Sequence, residues 1–264
     1  MISNLLKWLR VGPNQAESGI DRYMIYYGAV DHSIVQNLKK YDLVIVEPQH
    51  WTTERVRQLQ AAGTRVVGYV SVMEWPTWNV ERGKGLRSAD YLLRDGQRVY
   101  FSEWDSYLMD VREPHYRQLL VDEIEGQIAN KGMDGLFLDT VGDIEDHIQH
   151  TLLRNEMIHG YLALLADIRS RYPRLCLLQN RGFHFISLAA RYLDGFLWED
   201  WQDRRVSEAW VRQQIQALQP LKKAGLLLFA VSCGPGASKE GKAARRHGFV
   251  HLSRDSDYSV WSEP

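Results

Sequence analysis

The sequence predicts an α/β chain folded as a (β/α)8 TIM barrel, and three observations predict it. Short apolar runs of strand character alternate with longer amphipathic stretches along the chain. Several runs are continuously hydrophobic, such as LVIV at 43–46 and LLLFAV at 226–231, as in parallel strands covered by helices. Eight such runs can be counted, and 264 residues is an ordinary length for eight strands and their helices. A doubly wound open sheet is the alternative. It needs a Gly-rich first βα turn, and the first run instead ends YYG (26–28) followed by AVDHS.

In chain order the β runs are Arg22–Tyr27, Asp42–Glu47, Arg65–Ser71, Asp134–Asp139, Leu175–Asn180, Asp194–Glu199, Gly225–Val231 and Gly248–Leu252. Helical patterns lie between them, among others His115–Asn130, Asp146–Tyr172, Val206–Lys223 and Lys239–His247. Residues 1–264 read as a single domain, with no low-complexity tract or linker. The alternation is interrupted once, after the third strand, by an insertion at about 72–114 carrying EWPTW, GKG, RDGQR and SEWDSYLMDV. A segment that long inside a compact domain is functional or folded in itself, and it is expected to form part of a cleft wall.

Composition excludes several function classes. With 45% hydrophobic and 25% charged residues the chain can bury a full core. A formal net charge of -1 gives no field that attracts nucleic acid or an anionic membrane. The two cysteines, Cys176 and Cys233, have no CxxC spacing and are expected as buried free thiols, which excludes a disulfide framework. No stretch of about twenty apolar residues is present to span a membrane. Met1–Val11 contains Leu5, Leu6, Trp8 and Leu9 but is broken by Lys7 and Arg10, is too short for a signal-peptide core and has no small-residue cleavage site. The expected location is the cytoplasm for the chain as written, the alternative being export by a signal outside it.

Three strands share one pattern. Asp42-LVIV-Glu47, Asp134-GLFL-Asp139 and Asp194-GFLW-Glu199 each open on Asp and close on an acid five residues later. These are strands two, four and six, and alternate strands of such a barrel contribute to one interior layer. Glu47, Asp139 and Glu199 are therefore expected to converge on the carboxyl-end mouth, and the leading Asp residues to serve as turn residues at the opposite end. Two carboxylates across a cleft perturb each other, so that one stays protonated while the other is ionised. Hydrolysis of a glycosidic bond needs that pair. Asp139, after a very apolar strand and beside Thr140, is expected as the nucleophile. Glu199, between Trp198 and Asp200, is expected as the acid/base.

The surroundings suit a carbohydrate, the one partner the residues suggest. Trp51, Trp75, Trp78, Trp104, Trp198 and Trp201 fall at strand ends two, three and six or in the insertion, and a sugar's C–H face stacks on indole. Trp8, Trp210 and Trp261 read as structural. Tyr27, Tyr69, Glu74, Asn180, Arg181 and Asp200 also lie at strand ends and complete the expected substrate contacts. No cofactor or metal is expected: the nine His are scattered, with His147, His150 and His159 on one helical stretch, and no HxH opens strand one. No β run ends on a Schiff-base lysine. The GPG at 234–236 reads as a turn.

YYG (26–28), YDLVIVEP (41–48), VVGYVSVMEW (66–75), WDSYLMDVREP (104–114), KGMDGLFLDT (131–140), QNRG (179–182) and DGFLWED (194–200) together resemble the endo-α-1,4-polygalactosaminidase family, glycoside hydrolase family 114. The likeness runs from about Tyr23 to the end of strand eight, and KGxDGxFLD is its most specific piece. It implies an α/β barrel acting on α-1,4-linked galactosamine polymers, with the acids of strands four and six, Asp139 and Glu199, as the catalytic pair. Thr140 stands where the family often has Asn, and Met73-Glu74 where it has Gly-Glu. The alternatives are a glycosidase of other specificity and a sugar-binding barrel without catalysis, which would not need the acid pair.

Overall fold

The computed structural model describes residues 19–234, 237–254 and 257–262. Eight parallel strands form one sheet in chain order: β1 (Tyr23–Tyr26), β2 (Leu43–Val46), β3 (Arg65–Ser71), β4 (Gly135–Asp139), β5 (Cys176–Asn180), β6 (Gly195–Trp198), β7 (Leu227–Cys233) and β8 (Val250–Arg254). The sheet curls into a nearly closed barrel with helices outside. It is the architecture read from the alternation, with strand bounds moved by one or two residues.

Helices α1 (His32–Leu38), α2 (Thr53–Ala61), α3 (Pro114–Ile124), α4 (Thr151–Arg171), α5 (Ala209–Lys223) and α6 (Ala237–Arg246) cover the strands. Local chemistry starts the first two: Asp31 accepts the Ile34 N–H at 2.8 Å and Thr52 accepts that of Arg55. The stretch expected as one helix over His115–Asn130 ends its α-helical part at Ile124 and continues as a π-turn, Glu125–Ala129. The stretch expected over Asp146–Tyr172 is broken. A short helix, Asp143–Asp146, stops at His147, and His150 caps α4, so His147, His150 and His159 do not share one helix. Among the described residues no helix is long and apolar enough to cross a membrane.

The leading Asp of each repeated pattern sits at the amino end as expected, but does more than turn the chain. Asp42 accepts the N–H of Arg22, Asp134 that of Val66 and Asp194 that of Leu177, at 2.9, 2.8 and 2.9 Å. Each Asp also donates its own N–H to the carbonyl of that same residue. Three carboxylates thus lock β2, β4 and β6 onto the strand before each, where a register slip would turn every side chain to the wrong face.

The insertion is folded. Glu74–Pro76, Ser106–Leu108 and Tyr100–Phe101 make a small antiparallel sheet beside a two-stranded hairpin, Leu93–Arg94 with Gln97–Arg98. Buried Arg82 fastens it, pairing with Glu123 of α3 at 2.5 Å and donating to the carbonyls of Ser71 and Glu74. The eighth seam differs from the other seven. No ladder joins β8 to β1 among the described residues, and the segment 257–262 spans the gap, with Tyr27 donating its N–H to the Tyr258 carbonyl at 2.7 Å.

Candidate active site

Side chains alternate along a strand, so the inward positions at the carboxyl ends follow from the register. Gly68 faces Ile128 and Met133 of the outer layer, which turns its neighbour Tyr69 inward. Gln179 meets Tyr161 of α4, which turns Asn180 inward. Trp198 packs outward, which turns Glu199 inward. Asp139, Asn180 and Glu199 thereby meet on three consecutive strands.

The geometry of the meeting is specific. The Asn180 Nδ2 donates to Asp139 Oδ1 at 2.7 Å and to Glu199 Oε2 at 2.8 Å, so one amide spends both protons on the two carboxylates. Both acids titrate higher than usual, first because burial penalises their charge. Asp139 is drawn back down by hydrogen bonds from Asn180, the Thr140 N–H and Tyr69, and by the Arg181 charge. Glu199 is pushed further up by the charges of Asp139 and Asp200, against hydrogen bonds from Asn180 and Tyr258.

Directly after the three site residues stand Thr140, Arg181 and Asp200, with φ of 60°, 55° and 57°. Left-handed backbone costs a non-glycine residue about 1–2 kcal/mol. Three in register at the ends of β4, β5 and β6 mark a rim bent sharply behind the residues it presents. The bends are fastened: the Thr140 hydroxyl accepts the Met73 N–H at 2.8 Å, and Gln179 donates to the Arg181 carbonyl at 2.7 Å. It is the Thr140 N–H, and not its hydroxyl, that reaches the Asp139 carboxylate.

Tyr27, Tyr69 and Tyr258 line the other side of the mouth, with Tyr27 centred 5.0 Å from Tyr69 and 5.4 Å from Tyr258. Tyr258 donates to Glu199 Oε1 at 2.9 Å. Buried Glu47 ends β2 beside this wall and accepts the Gln49 N–H at 3.4 Å, with burial pushing its carboxyl up to about 7. Glu74 is buried as well, accepts from Ser106, and hydrogen-bonds Asp143, whose carboxyl is pushed up to about 9 by burial and by Glu74 itself.

Other expected contacts lie elsewhere. Arg181 ion-pairs with Asp146 at 2.9 Å. Trp198 is 6% exposed and packs against Phe183, Trp201, Trp210 and Phe249 outside the barrel. Trp51 and Trp201 are buried too, so these three indoles are core. Trp75 stacks on Tyr107, and Trp78 and Trp104 stand exposed on the insertion. Asp200 is exposed at the rim. Cys176 is buried, but Cys233 is exposed, because β7 runs on two residues past the expected end and carries it to the mouth. Of the segments read from sequence, Met1–Val11, Trp8 and the Pro235-Gly236 pair lie outside the described residues.

Sequence reasoning missed Tyr258 and Asp143. Tyr258 lies past the last apolar run, where no periodicity points to the mouth. Asp143 was legible only as the fourth residue beyond Asp139.

Comparison with solved structures gives the same fold. The glycoside hydrolase domain of PelA from Pseudomonas aeruginosa matches with a TM-score of 0.72 at 19% identity, over 92% of this chain and 97% of that one. Aspergillus fumigatus Ega3, solved in complex with galactosamine, matches with a TM-score of 0.70 at 16% identity, over 92% and 94%. The GH36 alpha-galactosidase AgaB from Geobacillus stearothermophilus matches with a TM-score of 0.57 at 10% identity, over 95% of this chain and 40% of that one. No curated protein sequence matches the chain. The model of glycoside hydrolase family GH114 matches residues 13–263, nearly the whole length, and the chain belongs to that family.

Proposed function

We propose that the chain is a retaining glycosidase that cleaves α-1,4-linked galactosamine polymers, with Asp139 as nucleophile and Glu199 as acid/base. The observation that carries this reading is the shared Asn180 amide. With bonds of 2.7 and 2.8 Å from one nitrogen, the facing carboxylate oxygens are at most about 5.5 Å apart. Retaining glycosidases hold their carboxyls about 5–5.5 Å apart, whereas inverting ones leave about 6.5–9.5 Å for a water. A barrel that only bound sugar would have no use for two carboxylates held at that spacing.

The roles follow from the surroundings. Asp139 has three donors and a nearby cation to stabilise its charge, as a nucleophile requires. Glu199 faces two like charges, which keep its proton on. Asp139 attacks the anomeric carbon as Glu199 protonates the departing oxygen, leaving a glycosyl ester on Asp139. Glu199, now ionised, takes a proton from water, which attacks the same carbon and frees Asp139. Galactosamine as the sugar is supported by the family and by the ligand in Ega3. It is also supported by the Glu47 carboxyl beside the mouth, which gives up its proton near neutral pH and can then pair with a sugar ammonium.

The test is hydrolysis of α-1,4-galactosaminan followed by NMR of the newly formed reducing end. The first-formed α-anomer is expected, with Asp139→Ala and Glu199→Gln each lowering kcat by at least about a thousandfold. A first-formed β-anomer would sink the retaining assignment, and full activity in either variant would remove that residue from the chemistry.

A further inference from the structure

The open seam between β1 and β8 is bridged by a strap, residues 257–262, and the strap is held unusually well for a segment without secondary structure. Arg254 at the end of β8 donates to the carbonyls of Asp257 and Val260 at 2.8 Å each and to that of Ser262 at 3.3 Å. Ser259 donates its N–H to the Asp257 carboxylate at 2.7 Å. Trp261 packs edge-on to Tyr26 of β1 with ring centres 5.9 Å apart. Gly28 is the counterpart on the other side of the seam, since a Cβ there would collide with the Ser259 carbonyl. Few of these contacts are needed merely to cover a gap, but together they fix one side chain in space, that of Tyr258.

Tyr258 is clamped along its length. Its carbonyl takes the Tyr27 N–H, its ring meets the Tyr27 ring and lies under the Arg254 guanidinium, and its hydroxyl ends 2.9 Å from Glu199 Oε1. Asn180 holds the other oxygen, Oε2. A carboxyl gripped at both oxygens from two independent elements cannot rotate about its last torsion, which is what a group transferring a proton along one direction needs. We propose that Tyr258 is the positioning residue of the acid/base, delivered to Glu199 by the C-terminal strap.

This rests on Glu199 being the acid/base. The groups facing Glu199 are Asp139 from β4, Asp200 from its own rim, Tyr23 and Tyr27 from β1, Cys233 from β7 and Tyr258 from the strap. Of these only Tyr258 donates a hydrogen bond to Glu199 in addition to the Asn180 amide, and such a bond favours the ionised carboxylate. Removing the hydroxyl therefore makes Glu199 hold its proton to higher pH.

The experiment compares wild type, Tyr258→Phe and a site-specific fluorotyrosine at 258, reading the Glu199 side-chain carboxyl by 13C NMR titration and kcat/KM on galactosaminan against pH. Tyr258→Phe is expected to lose about tenfold or more in kcat/KM, mostly in kcat, and to move both the Glu199 titration and the basic limb of activity upward. Fluorotyrosine, a stronger donor, should move both downward, and it keeps the test alive if the Phe variant does not fold. A folded Phe variant with an unmoved Glu199 titration, or a fluorotyrosine protein identical to wild type, would overturn the proposal. If instead the titrations move as expected but Glu199→Gln keeps full activity, the contact stands and the acid/base assignment fails.

Discussion

Glu47 illustrates how a residue's role depends on what surrounds it. It closes the same D-x4-acid pattern as Asp139 and Glu199, yet its donor is the backbone N–H of Gln49, at a long 3.4 Å, and Lys131 and Arg82 act on it only as nearby charges. A buried carboxyl poorly supplied with donors is held protonated to about 7. We expect it to bind a cationic sugar substituent, so Glu47→Gln should cost far more activity on de-acetylated polymer than on an N-acetylated one. Equal losses would remove amine recognition. The same residue sets a pH dependence. Its folded value lies above that of an unfolded glutamate, so stability is full below about 4.5 and is lost as pH rises through about 7. Glu47→Gln should therefore be more stable than wild type at pH 8, on the order of 1–3 kcal/mol, with little difference at pH 4, as read by urea denaturation. The acid pair itself was legible in the sequence because three strands repeat one spacing. Asn180 was legible as a strand end, but that its amide would join both acids was not, since this depends on the stagger of β4, β5 and β6.

At the level of elements, the insertion after β3 carries three exposed aromatics, Trp78, Tyr100 and Trp104. Trp104 is 66% exposed, at a turn where Asp105 (φ 47°) accepts from Tyr100 at 2.7 Å and from Thr77. The inner end of the insertion reaches the site through Glu74 and Asp143, and Phe101 packs on His147 of the loop after β4 at 4.6 Å. We expect the insertion to bind the polymer beyond the bond being cleaved, so Trp104→Ala should raise KM several-fold and leave kcat near wild type, because stacking acts on ground and transition states alike. An unchanged KM at normal stability would end that idea. The tryptophan pattern over-read the mouth because proximity to a strand end does not say which way a ring points. Trp198 adjoins an inward acid and so must face the helices, where it meets Trp201 and Phe249. The helix breaks at Ile124 and at Asp146 were equally hidden, since an amphipathic pattern continues through them.

For the molecule as a whole, closure of the barrel is the step on which the site depends. Seven seams are ladders and the eighth is the strap, whose approach to β1 requires Gly28 to lack a side chain. Gly28→Ala should destabilise by about 1–3 kcal/mol of overpacking, seen as a Tm lower by several degrees, with a loss of kcat that outlasts any stabilising additive. Unchanged Tm and activity would show that the seam does not need the glycine. The sequence by itself determined the number and order of the strands and the acids that end two of them, because apolar periodicity and the D-x4-acid spacing are local properties of the chain. It also carried the family likeness in KGMDGLFLDT and DGFLWED. Only the tertiary structure decided which neighbours those acids keep: the single amide between Asp139 and Glu199, the hydroxyl brought by a segment past the last strand, the buried partner of Glu74, and the exposure of Cys233. Each of these joins residues far apart in the chain, or fixes a side chain's direction by a closed ring of strands, and no local pattern contains that information.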